Sequence, residues 1–105
     1  MNDTIRACLD HVRKPARYTG GEYNAVCKDK AEVDLRFAFC FPDLYEIGMS
    51  HLGSKILYGL MNGMEGVWCE RAYAPYVDME EEMRRRGQPL YALESGDPIS
   101  EFDIL

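Results

Sequence analysis

The chain predicts an α/β fold built on a mostly parallel, incomplete sheet. Apolar runs of strand length alternate with amphipathic stretches of helical length, in the order β-α-β-α-β-β. The clearest strand, Asp34 to Phe41, is apolar on both faces, which is the pattern of a central strand covered from both sides. Strands joined through helices run parallel with right-handed crossovers.

The bulk properties bound the answer. At 105 residues the chain is one domain at most, with a modest core. A net charge of −6 has the wrong sign for a nucleic-acid backbone. No apolar run approaches the roughly 20 residues of a membrane helix. Met1-Asn2-Asp3-Thr4 lacks the basic and apolar regions of a signal peptide, so the expected location is cytoplasmic. Cys8, Cys27, Cys40 and Cys69 are widely spaced, with no Cys-x-x-Cys pair, and suggest neither a disulfide framework nor a metal site. Cys40 reads as a small buried hydrophobe.

Each element has a local cause. Asn2 to Val12 reads as a helix with Ile5, Leu9 and Val12 on one side and Asn2 or Asp3 as cap; Pro15 ends it. Tyr18 to Glu22 is a glycine turn. Tyr23 to Cys27 reads as a short strand, antiparallel to the next, with a turn at Asp29-Lys30. In the Asp34–Phe41 strand, Leu35, Phe37, Phe39 and Phe41 share a face, Ala38 and Cys40 the other, and Arg36 escapes to solvent at its start. Ser50 to Asn62 reads as a helix with Leu52, Ile56, Leu57, Leu60 and Met61 at helical spacing, Ser50 as cap and Gly63 left-handed after its end. Gly66 to Tyr73 is the second parallel strand. The next helix starts at Asp78, with Glu81 completing a capping box, and stops at Gly87. Glu80–Arg84, Glu81–Arg85 and Glu82–Arg86 are spaced for ion pairs that also suit the helix dipole. Arg84 to Arg86 are either an anion patch or a solvated helix end. Pro89 to Leu93 is a third strand. Phe102 to Leu105 begins a fourth, whose open edge is expected to promote oligomerisation or strand swapping.

Ligands of open α/β sheets bind at the carboxyl ends of strands. The loop from Phe41 to Gly53 and the loop Glu94-Ser95-Gly96-Asp97-Pro98 stand there. Asp43, Tyr45, Glu46, Gly48, Met49, Ser50, His51 and Gly53 are the candidate binding residues of the first, and Glu94, Ser95 and Gly96 of the second. Gly48 and Gly53 permit close backbone approach, and the helix start suits an anionic group. No Gly-Lys-Ser/Thr follows, which excludes a P-loop. Asp43 and Glu46 are either an acid/base pair or turn and capping residues. Glu70-Arg71 and Glu94 lie near one sheet edge and can pair. Trp68, Tyr73 and Tyr76 line either a pocket or the core. His11 carries no motif and is expected on the surface.

A series of motifs gives a resemblance. In order these are Lys14-Pro15-Ala16-Arg17-Tyr18-Thr19-Gly20-Gly21-Glu22, then Phe41-Pro42-Asp43-Leu44-Tyr45-Glu46-Ile47-Gly48-Met49-Ser50, then Glu70-Arg71-Ala72-Tyr73-Ala74-Pro75, then Leu93-Glu94-Ser95-Gly96. Together they resemble the amino-terminal segment of bacterial radical SAM iron-sulfur (Fe-S) oxidoreductases that carry a cobalamin-binding domain, from about Lys14 to Leu105. The resemblance implies a Rossmann-like (flavodoxin-like) fold, with residues 1–33 as an irregular or helical extension and 34–105 as the first part of the cobalamin-binding-like domain. It implies a non-catalytic accessory module, with cobalamin at the strand ends and the radical SAM barrel of the same polypeptide as partner. The [4Fe–4S] cluster and S-adenosylmethionine belong to that barrel, whose Cys-x-x-x-Cys-x-x-Cys spacing no cysteine here matches. Cobalamin domains of the best-known kind carry Asp-x-His-x-x-Gly after the first strand. Here His51 keeps its place, but Met49 and Ser54 replace the Asp and the Gly. His51 is therefore either a cobalt ligand without its orienting carboxylate or a histidine at a helix start. The same broken motif fits a Rossmann-like interaction module that has lost its cofactor.

Overall fold

The computed structural model describes residues 3–22 and 25–105. Its centre is the parallel pair β1 (Leu35–Phe41) and β2 (Val67–Tyr73), in register from Leu35 beside Val67 to Phe41 beside Tyr73. Between them run α2 (Tyr45–Ser50) and α3 (Leu52–Asn62), and α4 (Val77–Arg86) follows β2. The fold is an incomplete, Rossmann-like α/β arrangement, as the alternation of runs predicts. Among the described residues no helix is long and apolar enough to cross a membrane.

The main core is not at the sheet. It lies where α1 (Asp3–Leu9) meets α4: Ile5 and Cys8 pack with Tyr18, Met79, Met83 and Tyr91, and Leu9 and Val12 lean against them. The first helix is shorter than the expected Asn2–Val12, of which Asn2 lies outside the described residues. The strand expected at Tyr23 to Cys27 is in part outside them too, and residues 25–27 form no ladder. Instead the Val26 N–H donates to the Tyr58 hydroxyl (2.8 Å), and the Val26 carbonyl accepts from Trp68 Nε1 (2.9 Å).

The helix expected over Ser50–Asn62 is α3, starting two residues later at Leu52, and the loop expected before it contains a separate short helix, α2. The chain breaks at His51, whose φ and ψ of −81° and 108° are extended. Ser50 does not cap; its hydroxyl donates back to the Glu46 carbonyl at 2.8 Å, while His51 Nδ1 accepts from the Ser54 N–H at 3.1 Å. Gly63 is right-handed (φ −75°), and the positive φ before β2 falls at Gly66 (+79°). In α4 the cap is Tyr76, not Asp78. Asp78 sits inside the first turn and accepts from the backbone N–H of Arg13 and of Met79 at 3.1 and 2.7 Å, so no capping box with Glu81 forms. Glu80–Arg84 and Glu82–Arg86 pair as spaced, but Arg85 reaches Glu82 rather than Glu81. Gly87 ends the helix left-handed, as expected.

Pro89 to Leu93 does not become a strand; its one bridge is Tyr91 to Pro98, antiparallel. The outer edge of β2 is closed mostly by side chains, with a backbone bond from the Leu93 N–H to the Arg71 carbonyl at 2.8 Å. Asn62 exchanges two hydrogen bonds with the backbone of Cys69 (2.8 and 3.0 Å), mimicking a neighbouring strand. Lys28 Nζ donates to the Val67 carbonyl at 2.6 Å, and Glu94 accepts from the Arg71 N–H at 2.9 Å. An edge covered in this way cannot template another strand. On the far side of β1, Ile104 bridges Phe37 in parallel, the start of the fourth run expected there.

Two burial expectations fail. Cys40 is exposed rather than a buried hydrophobe: it lies near the end of β1, and nothing among the described residues packs over it. The apolar residues of α3 do not all turn inward: Leu52, Ile56, Leu57 and Leu60 are exposed, Leu52 by 70%.

Candidate functional site

Side chains alternate across a sheet, so adjacent residues of β2 go to opposite faces. Glu70 stands beside Ala38 on one face and Arg71 beside Phe39 on the other. Neither can reach bulk water, and each must find a partner in place.

Arg71 is the centre of the larger network. Its Nε donates to Glu94 and its Nη2 to Glu22, both at 2.7 Å, and its Nη1 meets Met49 Sδ at 3.0 Å. Tyr58 lies with its ring 5.1 Å from the guanidinium and donates its hydroxyl to Glu94 at 2.7 Å. Tyr45 donates to Glu22. Burial works against the Arg71 charge, but Glu94 and Glu22 outweigh it and push its pKa up. Burial would raise the Glu22 carboxyl; hydrogen bonds from Arg71 and Tyr45 outweigh that and hold it below the ordinary carboxylate range. Burial, helped by Glu22, pushes the Tyr45 hydroxyl up to about 12. Two carboxylates around one guanidinium make a closed and strongly ordered cluster.

Across the sheet Arg36 does the same for Glu70. It does not escape to solvent. Its Nη2 contacts Glu70 at 2.5 Å and its Nη1 Asp97 at 3.0 Å, with the guanidinium over the rings of Trp68 and Phe102. Lys30 joins Asp97 at 2.6 Å, and Ser95 contributes its hydroxyl to Arg36 and its N–H to Glu70.

The residues singled out in the two loops are thus divided. Met49 and Glu94 meet on Arg71, and Tyr45 joins through Glu22. Ser95 belongs to the Arg36 side. Glu46 is exposed and pairs with Arg17 at 2.8 Å; Asp43 accepts from the Leu44 N–H and carries no contact to Glu46 that would make an acid/base pair. The three glycines each face protein. A Cβ on Gly48 would stand 2.2 Å from Tyr73 Cε1, one on Gly53 3.1 Å from His51 Cε1, and one on Gly96 3.8 Å from Ile5 Cδ1. Trp68 is buried, Tyr73 half-buried and Tyr76 exposed; His11 is exposed. Arg71, Glu22, Tyr58 and Arg36 carry the networks, and the readable signal was Glu70-Arg71, an adjacent pair of opposite charges between Trp68-Cys69 and Ala72 in a strand run.

His51 Nδ1 is engaged at the start of α3: it lies 2.8 Å from the Ser54 hydroxyl and 3.1 Å from the Ser54 N–H, with the Phe41 ring 5.1 Å away. No carboxylate among the described residues holds the imidazole as the orienting partner of a cobalt ligand would. Nor do the cysteines fit a cluster: Cys8 and Cys69 are buried, Cys27 and Cys40 exposed, and burial pushes the Cys69 thiol up to about 12. No group of His, Cys, Asp and Glu among the described residues is placed to hold a metal.

Between α3 and the sheet, beside Arg71, lies a cavity of about 480 Å³ walled by Val26, Phe39, Met49, Tyr58 and Gly59.

Comparison with known proteins places this geometry. No curated protein and no solved structure matches the chain. A family model described as the N-terminal part of radical SAM proteins matches residues 53–105, from the start of α3 through β2 and α4 to Leu105. That span holds Arg71, Tyr58, Glu70, Glu94 and Asp97, most of both buried networks, and covers just over half of the chain. The chain therefore belongs to the family of radical SAM N-terminal segments.

Proposed function

We propose that this chain is a non-catalytic accessory module of a radical SAM protein, and that its task is to pack against the rest of that polypeptide. The observation that carries the reading is the uncovered apolar stripe of α3. Leu52, Ile56 and Leu60 stand at i, i+4 and i+8 and are all exposed, and Ile47 of α2 is exposed with them. A contiguous patch of this kind marks an interface. The occupant follows from the family, whose members carry this segment ahead of the radical SAM portion. In such a protein the [4Fe–4S] cluster and S-adenosylmethionine supply the radical chemistry. The part played by this chain is structural: Arg71 and Arg36 are each held by two carboxylates, so both networks stiffen the platform that presents the stripe.

Cobalamin at the strand ends is the rival reading, and the resemblance over the Phe41–Gly53 loop is what favours it. Against it stand the lack, among the described residues, of a carboxylate to orient His51 and the protein groups already facing Gly48, Gly53 and Gly96.

Hydrogen exchange compares the two settings. In the full-length protein α3 amides should exchange more slowly than in this chain alone, and Ile56→Glu with Leu60→Glu should remove the difference. Equal exchange in both settings overturns the packing reading. Co-elution of full-length protein with hydroxocobalamin and a shifted visible spectrum, lost in a Gly48→Val or Gly53→Val variant, establishes the rival.

A further inference from the structure

We propose that the cavity between α3 and the sheet binds an uncharged, largely apolar small molecule that offers one hydrogen-bond acceptor to Arg71. The site is distinct from the α3 stripe: Tyr58 and Gly59 line it, whereas Leu52, Ile56 and Leu60 form the stripe. Its volume of about 480 Å³ lies within the range of small-molecule sites, about 300–1,000 Å³. Val26, Phe39, Met49 and the Tyr58 ring make the walls apolar.

The polar contact is specific. Arg71 commits Nε to Glu94 and Nη2 to Glu22, but the acceptor at Nη1 is the Met49 thioether, a weak one. An oxygen or nitrogen acceptor in the cavity would replace sulfur with a better partner. Charge is already balanced there: Arg71 and Lys55, the latter on the exposed side of the lining, stand against Glu22 and Glu94. An added anion or cation would upset that balance, so a neutral acceptor is the group that fits.

Gly59 is the second, independent observation. A glycine inside a helix is unfavourable relative to alanine. Here its φ is not positive, and a Cβ built on it meets nothing within 4 Å. Neither backbone conformation nor packing requires glycine at this position. What its missing side chain does is leave room at the cavity.

The test uses three near-isosteric probes, benzamide, benzoate and benzamidine, titrated into the full isotope-labelled chain while backbone amide shifts are followed. Benzamide should move the amides of Phe39, Met49 and Tyr58 with a dissociation constant of about 1–10 mM, as expected for so small a ligand. Benzoate and benzamidine should bind at least about fivefold more weakly. Gly59→Leu places a good helix former at the wall, keeps the fold, and should weaken benzamide at least about tenfold. Met49→Leu removes only the sulfur acceptor and should leave benzamide binding equal or tighter. Absence of shifts at these amides overturns the proposal, as does equal binding of the three probes or undiminished binding to a folded Gly59→Leu chain.

Discussion

Glu94 shows how much one residue holds. Its buried carboxylate accepts from the Arg71 backbone and side chain and from the Tyr58 hydroxyl. Removing it in Glu94→Ala leaves a guanidinium, a hydroxyl and a strand N–H without their acceptor, and breaking a buried pair costs about 3–5 kcal/mol. Urea unfolding followed by circular dichroism should show that loss, and Glu94→Gln, which still accepts, should lose less. A stability change below about 1 kcal/mol in Glu94→Ala would mean the pair is far more hydrated than its burial indicates. Gly48 is a different case. Its Cβ would stand 2.2 Å from the Tyr73 ring, so Gly48→Ala should cost about 1–3 kcal/mol through overpacking, although alanine favours a helix. A neutral or stabilising Gly48→Ala by the same assay would show that Tyr73 is free to swing away.

At the scale of elements, local chemistry decided some boundaries and tertiary contacts others. β1 and β2 were legible because short runs rich in apolar and aromatic residues between turns have few alternatives, and Gly87 was legible because a left-handed residue suits a helix end. α2 was not: Tyr45–Ser50 is short, contains a glycine and follows Pro42, so it reads as loop, and the start of α3 is set by the cap from His51 Nδ1 to the Ser54 N–H. His51→Ala should therefore destabilise α3 by about 1 kcal/mol, visible as a lower midpoint in thermal melts; an unchanged midpoint would count against the cap. The third strand was illegible for another reason. Leu93 gives β2 a backbone bond, but Asn62, Lys28 and Glu94 satisfy the neighbouring edge groups through side chains, and no pattern of hydrophobicity encodes that.

For the whole molecule, the charge networks set the response to pH. Glu22 and Asp97 have folded pKa values held below their ordinary 4.5 and 3.8, each against burial, by Arg71 with Tyr45 and by Lys30 with Arg36. Their stabilisation is complete above those ordinary values and is lost as pH falls through the lowered ones. Tyr45 is the reverse: raised from 10 to about 12, it contributes fully below pH 10 and its contribution disappears as pH rises through about 12. Denaturation midpoints measured across pH should stay flat near neutrality and drop at both ends, and Glu22→Gln should shrink the acid-side drop. An acid limb identical in Glu22→Gln and the parent chain would remove Glu22 from this account.

The α/β class, the two strands and the charged last helix could be read directly from residue order, because apolar period, glycine and helix-dipole chemistry act over a few neighbours. The meeting of Arg71 with Glu94 and Glu22 could not: those partners lie 23 and 49 residues away in the chain. Nor could the exposure of the α3 stripe, since an amphipathic pattern says that a face will be covered but not by what. Burial forces every charge on β2 to find a partner, and only the packing of Glu22, Met49, Tyr58 and Glu94 around one strand decided which.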